Sequence, residues 1–215
     1  MNGRHVLIAD DHPLTLVGLA LAARAALPGI AVDSAASIGD AERIIAQRNT
    51  GYRLVLLDFV LPDARGFSGF LQLQHVLGNT PIVMVSAHRD RVIIEAARAL
   101  GAAGYLSKAQ PLDETLTSLR GVLAGKTVFP PVNGRVHADV GGARGRISDL
   151  SGAQLRVLMA LADGRMNKQI AGDLDITEAT VKAHLTAIFR KLGVNNRAQA
   201  LLAMQPLLGD AAAPS

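Results

Sequence analysis

The chain has 215 residues, 49% of them hydrophobic, with 22 Lys+Arg against 18 Asp+Glu and no cysteine. That length suits one large or two small domains, the apolar fraction excludes global disorder, and the lack of cysteine excludes disulfides, thiol catalysis and zinc–thiolate sites. The cationic excess is local: residues 1–122 carry 11 cationic and 11 acidic side chains, whereas residues 179–198 carry Lys182, Arg190, Lys191 and Arg197 and no acid. No apolar run approaches the roughly 18 residues of a membrane span, and the first one meets Asp10 too early for a secretory signal. A cytoplasmic protein with no membrane partner is expected.

In chain order, residues 5–122 alternate short apolar runs with helical segments. The expected strands are 5–9, 30–34, 54–58, 82–86 and 103–107; the expected helices are about 14–27, 37–48, 66–77, 90–100 and 112–123. Pro28-Gly29, the segment 49–51, Gly78-Asn79-Thr80-Pro81 and Gly101 punctuate them. Such alternation predicts an α/β domain, a flavodoxin-like doubly wound parallel five-stranded sheet, over residues 1–124. Residues 125–147 are rich in Gly, Pro and Arg without sustained period and read as a linker. Within it, GGARG lacks the spacing of a phosphate loop.

Residues 148–207 read as an all-α four-helix domain, with residues 208–215 as a frayed tail. Ser151 and Gln154 fit a capping box, and Gly164 ends the helix they start. Asn167 is expected to cap a short helix through Asp173. Thr177 is expected to cap a longer one through about Leu192, which Gly193 terminates. A last helix spans about 197–207.

The strand ends carry the chemistry. Asp10 and Asp11 close one run, Asp58 and Ser86 close two others, and Lys108 follows the last. An open α/β sheet places its ligand site outside the carboxyl ends of its strands. Carboxylates gathered there repel one another, and a divalent cation relieves the repulsion and invites a phosphoryl group. An aspartate is a competent nucleophile toward an activated phosphoryl donor, with Lys108 supplying positive charge to the transition state. Ser86 could bond the new phosphoryl oxygens, and Tyr105 could exchange between two rotamers as a switch. His88 is a candidate for tuning hydrolysis of the acyl phosphate.

In the helical region, Val181, Leu185, Ile188 and Leu192 form one apolar face. Lys182, Ala183, Thr186 and Arg190 then face away. A small, hydroxyl and cationic surface suits a major groove: Lys182 can donate to guanine, Thr186 can bond either way, and Ala183 can touch a thymine methyl. Arg190, Lys191 and Arg197 are expected at phosphates. The preceding segment GRMNKQIAGDLDIT adds a short helix and a turn at Leu174-Asp175, the helix-turn-helix pattern. Asn167, Lys168, Thr177 and Thr180, at the two helix starts, complete the expected DNA-facing set.

These motifs carry a resemblance. IADDHP, LLDFVLPDARG with Pro62 and Gly66, Ser86-Ala87 and Lys108 resemble the receiver domain of bacterial two-component response regulators. LSGAQLRVLMALADG, NKQIAGDLDIT, TVKAHL and IFRKLGVNNRAQA resemble the LuxR/NarL-type DNA-binding domain. The family often has Glu at position 154 and sometimes a basic residue at 186, so base preference stays open. The resemblance implies that a histidine kinase phosphorylates Asp58. It also implies that Asp11, Asp58 and the backbone carbonyl of Val60 ligate Mg²⁺ with Asp10 acting through water. The expected product is a homodimer on double-stranded promoter DNA. Competing readings are a regulator independent of phosphorylation, using its first domain to dimerise, and a phosphohydrolase with an aspartyl-phosphate intermediate. Val60 stands where such a hydrolase commonly has a second carboxylate, so an enzyme is not expected. A nicotinamide enzyme lacks its glycine fingerprint.

Overall fold

The computed structural model describes residues 4–48, 51–64, 66–131 and 145–208. Its sheet consists of β1 (His5–Ala9), β2 (Ala31–Ala35), β3 (Leu54–Asp58), β4 (Ile82–Ser86) and β5 (Gly104–Ser107), all parallel, in the order β2-β1-β3-β4-β5. Helices α1 (Pro13–Ala26), α2 (Ile38–Ala46), α3 (Ser68–Leu77) and α4 (Arg91–Leu100) connect successive strands, and α5 (Leu112–Leu123) follows β5. The order reverses between β1 and β3, the switch point of a doubly wound sheet. The described residues fall into two compact units, those within Met1–Arg89 and Ala102–Pro131, and those within Asp90–Gly101 and Val132–Ser215.

The central strands are apolar because helices cover both of their faces. HVLIA, LVLLD and IVMVS are buried along almost their whole length, whereas β2, AVDSA, is half exposed at the sheet's border. Side chains alternate across the pleat. Val6, Ile8, Leu54, Leu56, Val83, Val85 and Leu106 share one cluster with Leu19, Ala22 and Ala23 of α1 and Leu119 and Val122 of α5. Each large aliphatic so buried is worth about 1.5–3 kcal/mol. On the far border Tyr105 N–H donates to Val128 O (2.8 Å) and Val128 N–H to Ala103 O (3.0 Å), so the first residues of the expected linker lie along β5. A Cβ at Gly104 would stand 2.7 Å from Val128 O. Residues 132–144, most of that linker, lie outside the described residues, as does GGAR.

The start of α2 is closed by two side chains, Ser37 and Asp63, which also bond each other. Ser37 Oγ accepts the N–H of Asp40 (3.0 Å). Asp63, in the loop after β3, accepts the N–H groups of Ile38 and Gly39, each at 2.9 Å. Three N–H groups that a helix start leaves unpaired are thereby satisfied.

In the second unit α6 (Gly152–Ala162), α7 (Asn167–Asp173), α8 (Glu178–Leu192) and α9 (Arg197–Ala203) surround a core that includes Leu155, Leu158, Leu161, Ile170, Val181, Ile188, Leu192 and Ala200. The Ser151–Gln154 capping box forms, with Ser151 N–H donating to Gln154 Oε1 (3.0 Å) and Gln154 N–H to Ser151 Oγ (3.3 Å). Thr177 caps α8 by accepting Thr180 N–H at 3.1 Å. Gly193 ends it with φ 63°. Two expectations change. Asn167 does not cap α7: it is the first helical residue, and Met166 holds the cap position with its N–H donating to Gln169 Oε1 (2.8 Å). The last helix stops at Ala203 and continues as a tighter 3₁₀ turn, Gln205–Leu208.

Candidate functional site

Strand register assembles the acidic site. Ala9 pairs with Leu57, and Asp58 pairs with Val85, so Asp10 and Asp58 leave adjacent strands at the same level. Ser86 pairs with Ser107 one step further, which brings Lys108 to the same rim. Lys108 Nζ lies 2.7 Å from Asp58 Oδ2 and 2.9 Å from Asp10 Oδ2. The side chains of Asp10 and Asp58 are 0% and 3% exposed, and that of Lys108 20%. Asp10, Asp11, His12 and Asp58 each present a ligand atom within 4.8 Å of the others. The donors are mainly carboxylate oxygens, the set a hard divalent cation prefers.

Burial is the largest influence on Asp58 and raises its pKa; Asp10's charge adds to this, while Lys108 and the N–H of Val60 (3.3 Å) act against it. The net is a carboxyl held above its ordinary range. Burial alone would lower the pKa of Lys108, but hydrogen bonds to Asp10 and Asp58 outweigh it, so the ammonium is held charged. Two buried carboxylates therefore share one lysine, with Asp11 close by, an arrangement rich in negative charge.

The proposed switch residues are also gathered here. Ser86 is buried and its Oγ accepts the N–H of His88 at 3.0 Å. Tyr105, 2% exposed, donates its hydroxyl to the carbonyl of the same His88 at 2.8 Å. His88 itself is exposed, and its ring stands edge-on to Phe59 with centroids 6.4 Å apart. Val60 is 43% exposed just beyond β3.

His12 was not among the expected site residues. Its Nδ1 is 2.7 Å from Asp11 Oδ1, and its N–H donates to Asp10 Oδ1 at 2.9 Å. Its place directly after two aspartates and before Pro13 was the available signal. Asp63 was likewise missed, since an aspartate after proline in a loop reads only as a turn residue.

The second candidate site is the outer face of α8. Val181, Ile188 and Leu192 are fully buried and Leu185 is partly so, while Lys182, Ala183, Thr186 and Arg190 are exposed. Lys168 is exposed near the start of α7. Several expected contacts are already engaged inside the domain. Thr177 and Thr180 hydroxyls bond each other at 2.9 Å. Thr186 Oγ1 donates to Lys182 O at 3.0 Å, leaving its lone pairs to accept. Lys191 Nζ donates to Asp149 O and Gln154 Oε1, both at 2.9 Å. Arg197 Nη2 donates to Leu161 O (2.9 Å) and Arg165 O (3.1 Å). The last two cations thus tie helices together, so a phosphate would have to share their donors. Among the described residues no helix is long and apolar enough to cross a membrane.

Comparison with known proteins joins the two sites. Residues 6–120 match the response regulator receiver domain family, and residues 148–204 match the bacterial regulatory proteins of the luxR family. The glycerol metabolism activator of Pseudomonas putida is 35% identical over 206 residues, covering 92% of this chain and 93% of that protein. The nitrate/nitrite response regulator protein NarL of Escherichia coli strain K12 is 30% identical over 202 residues, covering 91% and 92%. A solved structure of the two-component response regulator RcsB with DNA shares the fold, with a TM-score of 0.54 at 20% identity over 94% of this chain and 98% of that one. Aspartates at the sheet's rim and a helix-turn-helix after it are what these families combine, and the chain belongs to them: it is a two-component response regulator, a receiver domain followed by a LuxR-type DNA-binding domain of a transcriptional regulator.

Proposed function

We propose that Asp58 accepts a phosphoryl group from a histidine kinase and that this event governs how α8 engages promoter DNA. The observation that carries the reading is the contact of Lys108 with both Asp58 and Asp10 at a rim where carboxylates outnumber cations. In this reading an Asp58 oxygen forms the new P–O bond as the donor's bond to phosphorus breaks, and the leaving imidazole is reprotonated from solvent. Asp11, Asp58 and the Val60 carbonyl would hold Mg²⁺, with Asp10 acting through water, and the ion would neutralise charge on the transferring group. Lys108 leaves Asp10 to meet a phosphoryl oxygen, and the Ser86 hydroxyl swings toward another to donate to it, which carries Oγ away from the His88 N–H that it accepts. Release of that N–H loosens the loop that Tyr105 grips through the His88 carbonyl, so one bonding exchange is felt by both switch residues. Valine at 60 supplies no acid or base for turnover, which suits a lasting signal.

Exposed Leu14, Val17 and Leu21 line α1 beside the acidic loop and offer a kinase an apolar seat. On the DNA side Lys182, Ala183 and Thr186 read base edges, with Arg190 and Lys168 at phosphates and Asn167, Thr177 and Thr180 orienting the helix starts. A phosphorylated homodimer would place two such helices about 34–36 Å apart on half-sites. The setting is the cytoplasm, where kinase and promoter are both available.

Acetyl phosphate with Mg²⁺ should add the mass of one phosphoryl group, and Asp58→Asn should abolish it. Absence of the adduct, or its survival in Asp58→Asn, refutes the assignment. Gel shifts on the DNA upstream of its own gene should tighten on phosphorylation; equal affinity in both states would favour the phosphorylation-independent reading.

A further inference from the structure

Asp63 has a place in the fold that a turn residue does not need. Leu61 and Ala64 form an isolated bridge, closed by Ala64 N–H donating to Leu61 O at 3.2 Å, so residues 61–64 make a tight turn. Val60, whose carbonyl is the proposed third metal ligand, enters that turn, and Leu61 is buried at its first corner. At the next corner but one, Asp63 reaches across to α2 and accepts two successive N–H groups, at 2.9 Å each. These are the first two N–H groups of a helix, where partial positive charge is concentrated. A carboxylate accepting from two parallel donors is fixed in orientation as well as position. Burial of Asp63 works against its ionisation, yet the Gly39 and Ile38 N–H groups prevail and keep it ionised below the usual carboxylate range. The turn is therefore anchored at both ends, by the buried Leu61 side chain and by Asp63.

We propose that Asp63 is a positioning residue for the phosphorylation site: by clamping the β3–α3 turn to the start of α2 it sets the Val60 carbonyl relative to Asp58. This rests on the proposed roles of Asp58 and Val60. Helix α2 itself provides the comparison, because Ser37 caps the same helix end by accepting Asp40 N–H, and although its side chain also bonds Asp63, the two backbone bonds from Ile38 and Gly39 to Asp63 do not depend on it. Ser37→Ala removes a cap and one side-chain contact of Asp63 but leaves its two backbone bonds; Asp63→Ala removes a cap and frees the loop. Both variants lose helix stability of similar kind. Only the second disturbs the geometry around a metal, where loss of a supporting contact typically costs about 10–100-fold in affinity.

The experiment is calorimetric titration of the full chain with Mg²⁺, paired with thermal unfolding by circular dichroism. Asp63→Ala should bind Mg²⁺ about 10-fold more weakly than the wild type, Asp63→Asn, which keeps one acceptor, should fall between, and Ser37→Ala should stay within about twofold. The rate of phosphorylation by acetyl phosphate, followed by mass, should fall in the same order. Unchanged Mg²⁺ affinity in Asp63→Ala or Asp63→Asn overturns the proposal, as does an equal loss in Ser37→Ala, which keeps both backbone bonds of Asp63. A wild type that neither binds Mg²⁺ nor takes up phosphate removes the reading of Asp58 and this inference with it, a result distinct from either.

Discussion

Replacing Lys108 by Met keeps the length of the stem and removes the one ammonium that touches both buried carboxylates. Asp10 and Asp58 then face each other with ligand oxygens within 4.8 Å. At an effective dielectric of about 20 that repulsion is about 3.5 kcal/mol. Solvent entering where Lys108 was 20% exposed reduces it. So does proton uptake, because burial already holds the Asp58 carboxyl above its ordinary range. A net destabilisation of about 2–3 kcal/mol at neutral pH in EDTA remains, or roughly 10 °C in Tm for a unit of this size. The sign with pH follows from the raised pKa. The protonated form is favoured by folding, so the cost is smallest in acid and grows as pH rises through the folded-state pKa. Mg²⁺ should restore most of the loss, and the variant should bind the ion more tightly than the wild type, since a competing cation is gone. Thermal unfolding with and without Mg²⁺, between pH 5.5 and 7.5, measures all three effects. Equal stability of variant and wild type in EDTA would refute the view that Lys108 compensates a charge deficit.

Further outcomes concern other parts of the chain. Tyr52 is pushed up to about 12, by burial first and then by the Asp33 carboxylate, which accepts its hydroxyl at 2.9 Å. The neutral phenol is the favoured folded form, so its contribution is whole below pH 10 and disappears as pH climbs toward 12. Ultraviolet titration of Tyr105→Phe, which leaves Tyr52 as the sole tyrosine, should show the tyrosinate step near 12 rather than near 10. Gly193→Ala should destabilise the DNA-binding domain by about 1–2 kcal/mol, because φ 63° disfavours a side chain and the new Cβ would stand 2.7 Å from Arg146 Nη2. An unchanged Tm would refute that account. Lys182→Ala should weaken specific DNA binding by about 1–3 kcal/mol without changing Tm. Lys191→Ala, which cuts two bonds between helices, should lower Tm, and a loss of DNA affinity alone would return Lys191 to the phosphate contacts.

The βα alternation was legible because four of the five strands are apolar runs that end in or beside an Asp or Ser, at Asp10, Asp58, Ser86 and Ser107, and parallel strands buried on both faces leave that pattern. Helix ends were legible where the residue at the cap position itself acts, through its side chain at Ser151 and Thr177 or through a left-handed backbone at Gly193. They were not where a side chain further along the helix reaches back. Met166 holds the start of α7 through the Gln169 side chain, and nothing in Met-Asn announces this. In the acidic site the aspartates and Lys108 could be named from their spacing. Asp63 could not, because its partners Ile38 and Gly39 lie 25 and 24 residues away. The outer face of α8 followed from helical period, but period says nothing of Lys191 and Arg197 turning inward to carbonyl groups of neighbouring helices.

Val128 has a consequence beyond its own two hydrogen bonds. An outermost strand with free N–H and C=O groups is a template on which another molecule can add. Laying residue 128 along β5 occupies that template, and Gly104 lets it come close enough to do so. A bulkier residue at 104 would lift the cover away, and the foreseeable result is molecules stacking strand to strand into insoluble material, with the phosphate chemistry of each one still intact.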